Sequence, residues 1–439
     1  MTKKIKKLAI NGGPKVRTRP FDFYNTIGKE EILAVNRVLR TGVLSKFLGA
    51  WHENFYGGDQ VRALESEWKK YFNVKHAVAL NSATSGLIAA VGAAGIGPGD
   101  EVIVTPYSMC ISATAPLFYG AVPVFADIED EYFCLDPISI EKKITSRTKA
   151  IIVVDILGQA YDAEKINKIA KKHNLIVIED CAQAPGGMYK GKYTGTLGDI
   201  GIYSLNYHKH IHCGEGGILV TNNDEIAERA RLIRNHAEAV VGPKGTDNLI
   251  NMIGYNFRMT ELEAAITREQ LKKLKSLVDG RINNVKYISD KLSKILFISP
   301  AKVRDNVKHV YYLQPLKFNM AIAGVHRDIF IDAVKAELMP IKKREAEGVW
   351  MNYGFRPLYL LPMFQNKICY GSSGYPFVSS LYNKNQDYSK GLCPVAERLH
   401  GEELFYHDYI KPCMTKKDLD DVVKSFYKVA ENINELKNG

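Results

Sequence analysis

Lys209 stands between two imidazoles. The run Ser204-Leu205-Asn206-Tyr207-His208-Lys209-His210-Ile211-His212-Cys213 leads into Gly214-Glu215-Gly216-Gly217. A lysine in such company, in a loop closed by a glycine turn, is placed to have a depressed amine pKa, because cationic or desolvating neighbours favour the neutral nucleophile. Metal binding is the other chemistry open to this run. His208, His210 and His212 alternate, so in an extended chain they would share one face, which suits a transition metal. No second carboxylate or cysteine set has matching spacing, so we expect no metal.

Two further segments could act with Lys209. Asn81-Ser82-Ala83-Thr84-Ser85-Gly86 consists of small residues at the start of a helix-like stretch. Such a start lets backbone N–H groups approach a phosphate, and the helix dipole favours the anion. An ordinary Ser or Thr cap would look the same. Asp180, with Gln183 one turn on, offers a carboxylate that can pair with a protonated ring nitrogen. Taken alone, Asp180 reads more simply as a helix N-cap.

The three segments share one position: each follows a β-branched run. The runs are His76–Leu80, Glu101–Val104, Val122–Ala126, Ala150–Asp155, Leu175–Glu179, Ile200–Leu205 and Gly217–Thr221. Helical spacing separates several of them, as in Ser85–Ala94 and Ala163–His173. This alternation predicts an α/β fold, with a mainly parallel seven-stranded sheet covered by helices on both faces. In open sheets of this kind, ligands collect at the carboxyl ends of the strands. Thr260 and Glu263 make a capping box, and Leu262, Ala265, Ile266, Leu271, Leu274 and Val278 continue on one face of a long helix. Beyond it, strands such as Val310–Leu313 and helices such as Arg327–Glu337 and Lys417–Asn432 suggest a smaller C-terminal α+β domain. The expected division is a segment, 1–50, that joins or crosses to the small domain, a large domain, 51–284, ending in the long helix, and the small domain, 285–439.

Composition excludes several classes. The chain has 439 residues, 46% of them hydrophobic and 24% charged, as in ordinary globular proteins. Lys and Arg outnumber Asp and Glu by 59 to 48. That excess is either a solubility surface or an attraction for an anionic ligand. The basic residues are scattered, which argues against nucleic acid, and the run Lys3–Lys7 reads as a solvated terminus. Seven cysteines, an odd number without a CxxC pair, speak against a disulfide framework or structural zinc. No apolar stretch follows the N-terminal lysines, so no signal peptide is expected. Val102 to Ala126 carries no charge and is long enough to span a membrane. It contains Pro106, Pro116, Pro123 and Gly120, however, and reads better as strand, loop, short helix and strand inside a core. The expected location is the cytoplasm.

Together these segments resemble the sugar aminotransferases of the DegT/DnrJ/EryC1/StrS family, which share the aspartate-aminotransferase fold. The resemblance rests on NSATSGL, GIGPGDEVIVTP, GAVPVFADIE, VIEDCAQAPGG, SLNYHKHIHCGEGGILVTNN, GYNFRMTELEAAI and CPVAERL, in that order. It implies pyridoxal 5'-phosphate as cofactor. Lys209, five residues after Ser204 and five before Gly214, matches the Schiff-base lysine, and Asp180 the partner of the pyridine nitrogen. Gln183 would contact the ring-hydroxyl side. Ser204, with the backbone at Ala83 and Thr84, would hold the phosphate. Asn256 matches an asparagine that reaches the neighbouring subunit's phosphate, which implies a homodimer with shared active sites. The family stacks an aromatic ring on the cofactor from the segment after TP; here TPYSMCIS offers Met109, or Cys110 with a one-residue slip. Lys46–Gly58 is longer than the usual connection, and Gln365–Lys367 falls in the substrate-side region in unusual surroundings.

The activity so implied is ping-pong transfer of an amino group from an amino acid, expected to be L-glutamate, to a nucleotide-linked keto sugar. Freed Lys209 would shuttle the proton, while Asp180 keeps the ring nitrogen protonated as an electron sink. The rival readings are a sugar dehydratase on the same cofactor, in which histidine replaces the lysine, and a non-catalytic regulatory or binding protein on the same fold. Lys209 at the expected spacing argues against the first, and the intact set of Lys209, Asp180 and Gln183 against the second.

Overall fold

The computed structural model describes residues 7–437. Of the basic run Lys3–Lys7, only Lys7 lies among them. The large sheet has seven strands: β1 (His76–Leu80), β2 (Glu101–Val104), β3 (Val122–Phe125), β4 (Thr148–Val154), β5 (Ile176–Asp180), β6 (Ile200–Ser204) and β7 (Gly217–Thr221). Their order is β1-β7-β6-β5-β4-β2-β3. Pairing from β6 through to β3 is parallel, and β7 runs antiparallel to both β1 and β6. The sheet is therefore mainly parallel, as the alternation of runs predicts. Its strands are buried along nearly their whole length, which explains why they read as continuous apolar runs.

The helices that matter for the site are α1 (Lys29–Thr41), α2 (Asp59–Phe72), α3 (Ala83–Ala93), α4 (Ala163–His173), α5 (Glu261–Leu292), α6 (Arg327–Ala336) and α7 (Lys416–Glu431). Ser82 caps α3 by accepting from Ser85 N at 3.0 Å. Thr260 caps α5 through the expected capping box with Glu263. Along α5, Leu271, Leu274 and Val278 join one hydrophobic cluster, and Val285, Ile288 and Leu292 another. The second cluster also takes Leu8 and Phe21 from the N-terminal segment, Phe330 from α6 and Phe426 from α7. Arg17 ties the same segment to α7 through Asp418 and Asp421, at 2.8 and 3.0 Å.

A four-stranded antiparallel sheet lies in this region: β8 (Ile298–Pro300), β9 (Gln314–Phe318), β10 (Met351–Asn352) and β11 (Leu404–His407), in the order β8-β9-β11-β10. The expected strand at Val310–Leu313 is absent. Tyr311 sits in the left-handed region with φ 48°, which an extended strand does not allow. Val310 N and Tyr312 N instead donate to Gly158 O and Leu157 O, both at 2.9 Å. The strand begins at Gln314. The uncharged stretch Val102–Ala126 forms β2, two short helical turns and β3. Among the described residues no helix is long and apolar enough to cross a membrane.

Candidate active site

Three strand ends and one helix start converge on a cavity of about 410 Å³. Asp180 is the last residue of β5 and caps no helix. It is buried, and its carboxylate accepts from Ser112 Oγ at 2.8 Å and from Ala182 N at 3.1 Å. Burial pushes its pKa up, while Ser112, Ala182 and the charge of Lys209 pull it back down. A carboxylate so placed gains most from a buried cationic partner, because the partner offsets the desolvation.

Lys209 lies in the loop between β6 and β7. The neck of that loop is pinned by Tyr207 N to Gly214 O at 2.9 Å and Cys213 N to Leu205 O at 3.1 Å. Ile211 anchors it in a hydrophobic cluster, and the His210 ring bonds Val310 O at 2.9 Å. Lys209 Nζ is then held 4.3 Å from the centroid of the Tyr312 ring. Tyr312 is itself fixed by Leu157 O and by Arg281 Nη1, which donates to Tyr312 O at 3.1 Å. Burial brings the Lys209 amine down to about 8, and Asp180 works against that fall. A reactive neutral amine is thus accessible near neutral pH.

The three histidines part company. His210 is turned to Val310 O, and His208 meets Arg344 Nη2 at 3.3 Å. Among the described residues no group of three or more His, Cys, Asp or Glu is arranged to hold a metal ion.

Seven of the residues singled out from sequence line the cavity: Lys209, Asp180, Gln183, Ser204, Ala83, Thr84 and Met109. Gln183 Oε1 accepts from Leu157 N at 2.7 Å, which leaves its amide NH₂ for a ligand. Ala83 and Thr84 open α3, so their N–H groups lack intrahelical partners. Met109 is 56% exposed and lines the cavity, whereas Cys110 does not. Asn256 lies outside the cavity of its own chain. It is exposed, bridges to Asn235, and accepts from Arg258 Nε at 2.8 Å. Gln365 is also outside, spending its amide on Tyr359 O and Tyr388 O.

The sequence alone does not point to Ser112, which donates to Asp180, nor to Tyr312 and the aromatic wall of Trp350, Phe355 and Tyr406. Only Ser112 left a trace, inside TPYSMCIS; the others approach from elements far along the chain.

This arrangement fits pyridoxal phosphate. An amine and a buried carboxylate face one cavity, and a helix N-terminus with the Ser204 hydroxyl sits beside them, able to take a phosphate. It defines an enzyme of the pyridoxal-phosphate aminotransferase fold. The profile of the DegT/DnrJ/EryC1/StrS aminotransferase family matches residues 25–383, and the chain belongs to that family. It is a pyridoxal-phosphate-dependent aminotransferase.

Similar proteins include GDP-perosamine synthase of Caulobacter vibrioides, 34% identical over 68% of this chain and 77% of that protein. L-glutamine:scyllo-inosose aminotransferase of Streptomyces griseus is 30% identical over 98% of this chain and 99% of its own. The crystal structure of an aminotransferase from Psychrobacter cryohalolentis superposes with a TM-score of 0.80 at 28% identity, covering 94% of this chain and all of that one.

Proposed function

We propose that the chain transfers an amino group from L-glutamate to a keto sugar linked to a nucleotide, with Lys209 as the catalytic amine. The carrying observation is that Lys209 and Asp180 face one cavity from neighbouring strand ends, each perturbed by burial and each influencing the other's charge. Lys209 would hold pyridoxal phosphate through its amine, Asp180 would pair with the pyridine nitrogen, Gln183 would donate to the ring-hydroxyl side, and Met109 would lie against the ring. Ser204 and the N–H groups of Ala83 and Thr84 would hold the phosphate. When bound, the cofactor supplies an electron sink for charge developing at the substrate carbon. With its amine free, Lys209 would take the proton from the donor's α-carbon and hold it for redelivery within the same cavity, acting as base and then as acid. Ser112 and Ala182 would favour the ionised form of Asp180 against the burial that raises its pKa.

The acceptor side is supported by Trp350, Phe355 and Tyr406, which give the cavity an aromatic wall beside a few polar groups, as small-molecule sites require. The chain's net charge of +11 suits a diphosphate-bearing ligand. A relative whose name carries a GDP-linked sugar supports the same choice. Another, named for L-glutamine and an inosose, marks the competing donor and acceptor.

Two copies of the chain would share sites, with Asn256 of each reaching the other's phosphate. Its exposure and its distance from its own cavity suit that role. The free cysteines suit the cytoplasm.

The experiment is direct. The holoprotein is incubated with L-glutamate and, in separate reactions, a panel of nucleotide-linked keto sugars and scyllo-inosose. Mass spectrometry should show one nucleotide-linked sugar gaining an amine as 2-oxoglutarate forms. Amination of the inosose alone would contradict the acceptor assignment.

A further inference from the structure

Behind Lys209 lies a second, smaller cavity of about 180 Å³. It shares Lys209 and His208 with the main cavity and adds Tyr24, His212, Arg344 and Lys411. No acidic side chain lines it. Lys411 is 5% exposed, and the chemistry derived above makes no use of it.

Charge balance around this cavity is incomplete. Asp408, itself buried, pairs with Lys411 Nζ at 2.7 Å and with Arg281 Nη1 at 3.5 Å. One carboxylate thus serves two buried cations. Arg344 has its own partner in Glu347, so it does not relieve the surplus. Tyr24 lies against both cations, its ring centroid 5.4 Å from Lys411 Nζ and 6.0 Å from Arg281 Cζ. Yet the Tyr24 hydroxyl is buried without a hydrogen-bond partner, and so is His212 Nδ1. A buried positive charge left uncompensated is costly, and orphaned donors beside it are costlier still. An anion that accepts from Lys411 and the Tyr24 hydroxyl would answer both.

We propose that this cavity is an anion subsite that takes a carboxylate of the amino donor. The assignment rests on the aminotransferase reading above. Its support is position: the wall shared with the main cavity includes Lys209, the residue whose amine the donor must displace. The space is less than half that of the main cavity, which suits a carboxylate and not a nucleotide. Burial and Arg281 hold the Lys411 ammonium down to about 8, and a carboxylate seated there would keep it protonated.

Calorimetric titration of the holoprotein with glutarate tests this without turnover. Glutarate should bind. Lys411→Met should weaken it by about ten- to a hundredfold, the loss of a charged hydrogen bond. Tyr24→Phe removes a hydroxyl that no protein group uses, so folding is spared, and it should weaken glutarate roughly three- to tenfold. Cofactor absorbance should be the same in all three proteins. Should Lys411→Met fail to fold, Tyr24→Phe decides alone.

No glutarate binding to the unsubstituted protein, or equal affinity in the variants that fold, would overturn the subsite. Binding of inorganic phosphate in place of glutarate, lost in Lys411→Met, would overturn the donor assignment and give the cavity to the acceptor. Failure of every nucleotide-linked sugar to accept an amine, with glutarate binding intact and dependent on Lys411, would remove the acceptor reading and support the subsite.

Discussion

A Cβ at Gly217 would lie 2.4 Å from the carbonyl carbon of Ser82 and 2.6 Å from Ala83 N. The first residue of β7 thus presses on the backbone that opens α3, where Ala83 and Thr84 face the cavity. Real Cβ atoms do not approach backbone so closely, so Gly217→Ala must displace the helix start. The expected cost is about 1–3 kcal/mol of stability, the usual range for overpacking, together with weaker retention of pyridoxal phosphate. Thermal unfolding and a cofactor titration measure the two effects. A variant that keeps both wild-type values would show that the helix start is not held there.

Ser112 and Asp180 give a graded pair of variants. Asp180→Asn removes the charge proposed above to pair with the pyridine nitrogen. Breaking a buried pair should lower kcat/KM on the order of 10²–10³-fold with the fold preserved. Ser112→Ala removes only a hydrogen bond, and the loss should be roughly tenfold or less. Its signature is in the pH profile. Ser112 pulls the Asp180 carboxyl down against burial, so without it the carboxyl protonates at higher pH, and the acid limb of the profile should move up. A pH-independent loss in Ser112→Ala would make the serine a packing residue.

Lys209 should set the pH dependence of cofactor uptake by the apoprotein. Capture of the aldehyde needs the neutral amine, and burial brings that amine down to about 8 from its usual 10.5. Below that pH the ammonium form dominates and uptake is slow; above it the rate should level off. Asp180 raises the Lys209 value, so Asp180→Asn should move the midpoint to lower pH. Stopped-flow absorbance across pH 6–10 reads both, and a midpoint near 10 would show that the amine is not desolvated.

Much of this site was legible because its parts sit at the ends of strands with strong local patterns. The β-branched runs, Ser82 at the cap of α3 and the Thr260–Glu263 box are short-range signals, and all three formed. Lys209, Asp180 and Ser204 then follow from the parallel order of β5 and β6, which brings their ends together. What stayed hidden depends on long-range meetings. Tyr312 reaches Lys209 only because Tyr311 turns left-handed and Arg281 grips the next carbonyl. The Val310–Leu313 run is apolar enough for a strand, but its N–H groups are taken by Leu157 and Gly158. Lys411 and Tyr24 share a cavity from opposite ends of the chain, and no spacing rule connects them.

Asn256 separates shared from independent sites. A Lys209→Ala chain is co-refolded with an Asn256→Trp chain, each inactive alone. Shared sites give mixed dimers one site with both defects and one with neither, so activity should reappear, at most in proportion to the mixed species. No recovery at any ratio, with subunit exchange demonstrated, would place Asn256 in a structural role beside Asn235 and Arg258.

The most direct measurement is reductive trapping followed by peptide mapping. Borohydride fixes a cofactor held through a lysine amine, and mass spectrometry locates the modified peptide. A single pyridoxyl-phosphate adduct is expected on Lys209, absent from Lys209→Ala and lost from the wild type when L-glutamate is added first. An adduct on another lysine, Lys411 included, or a cofactor that binds but is never fixed, would contradict it.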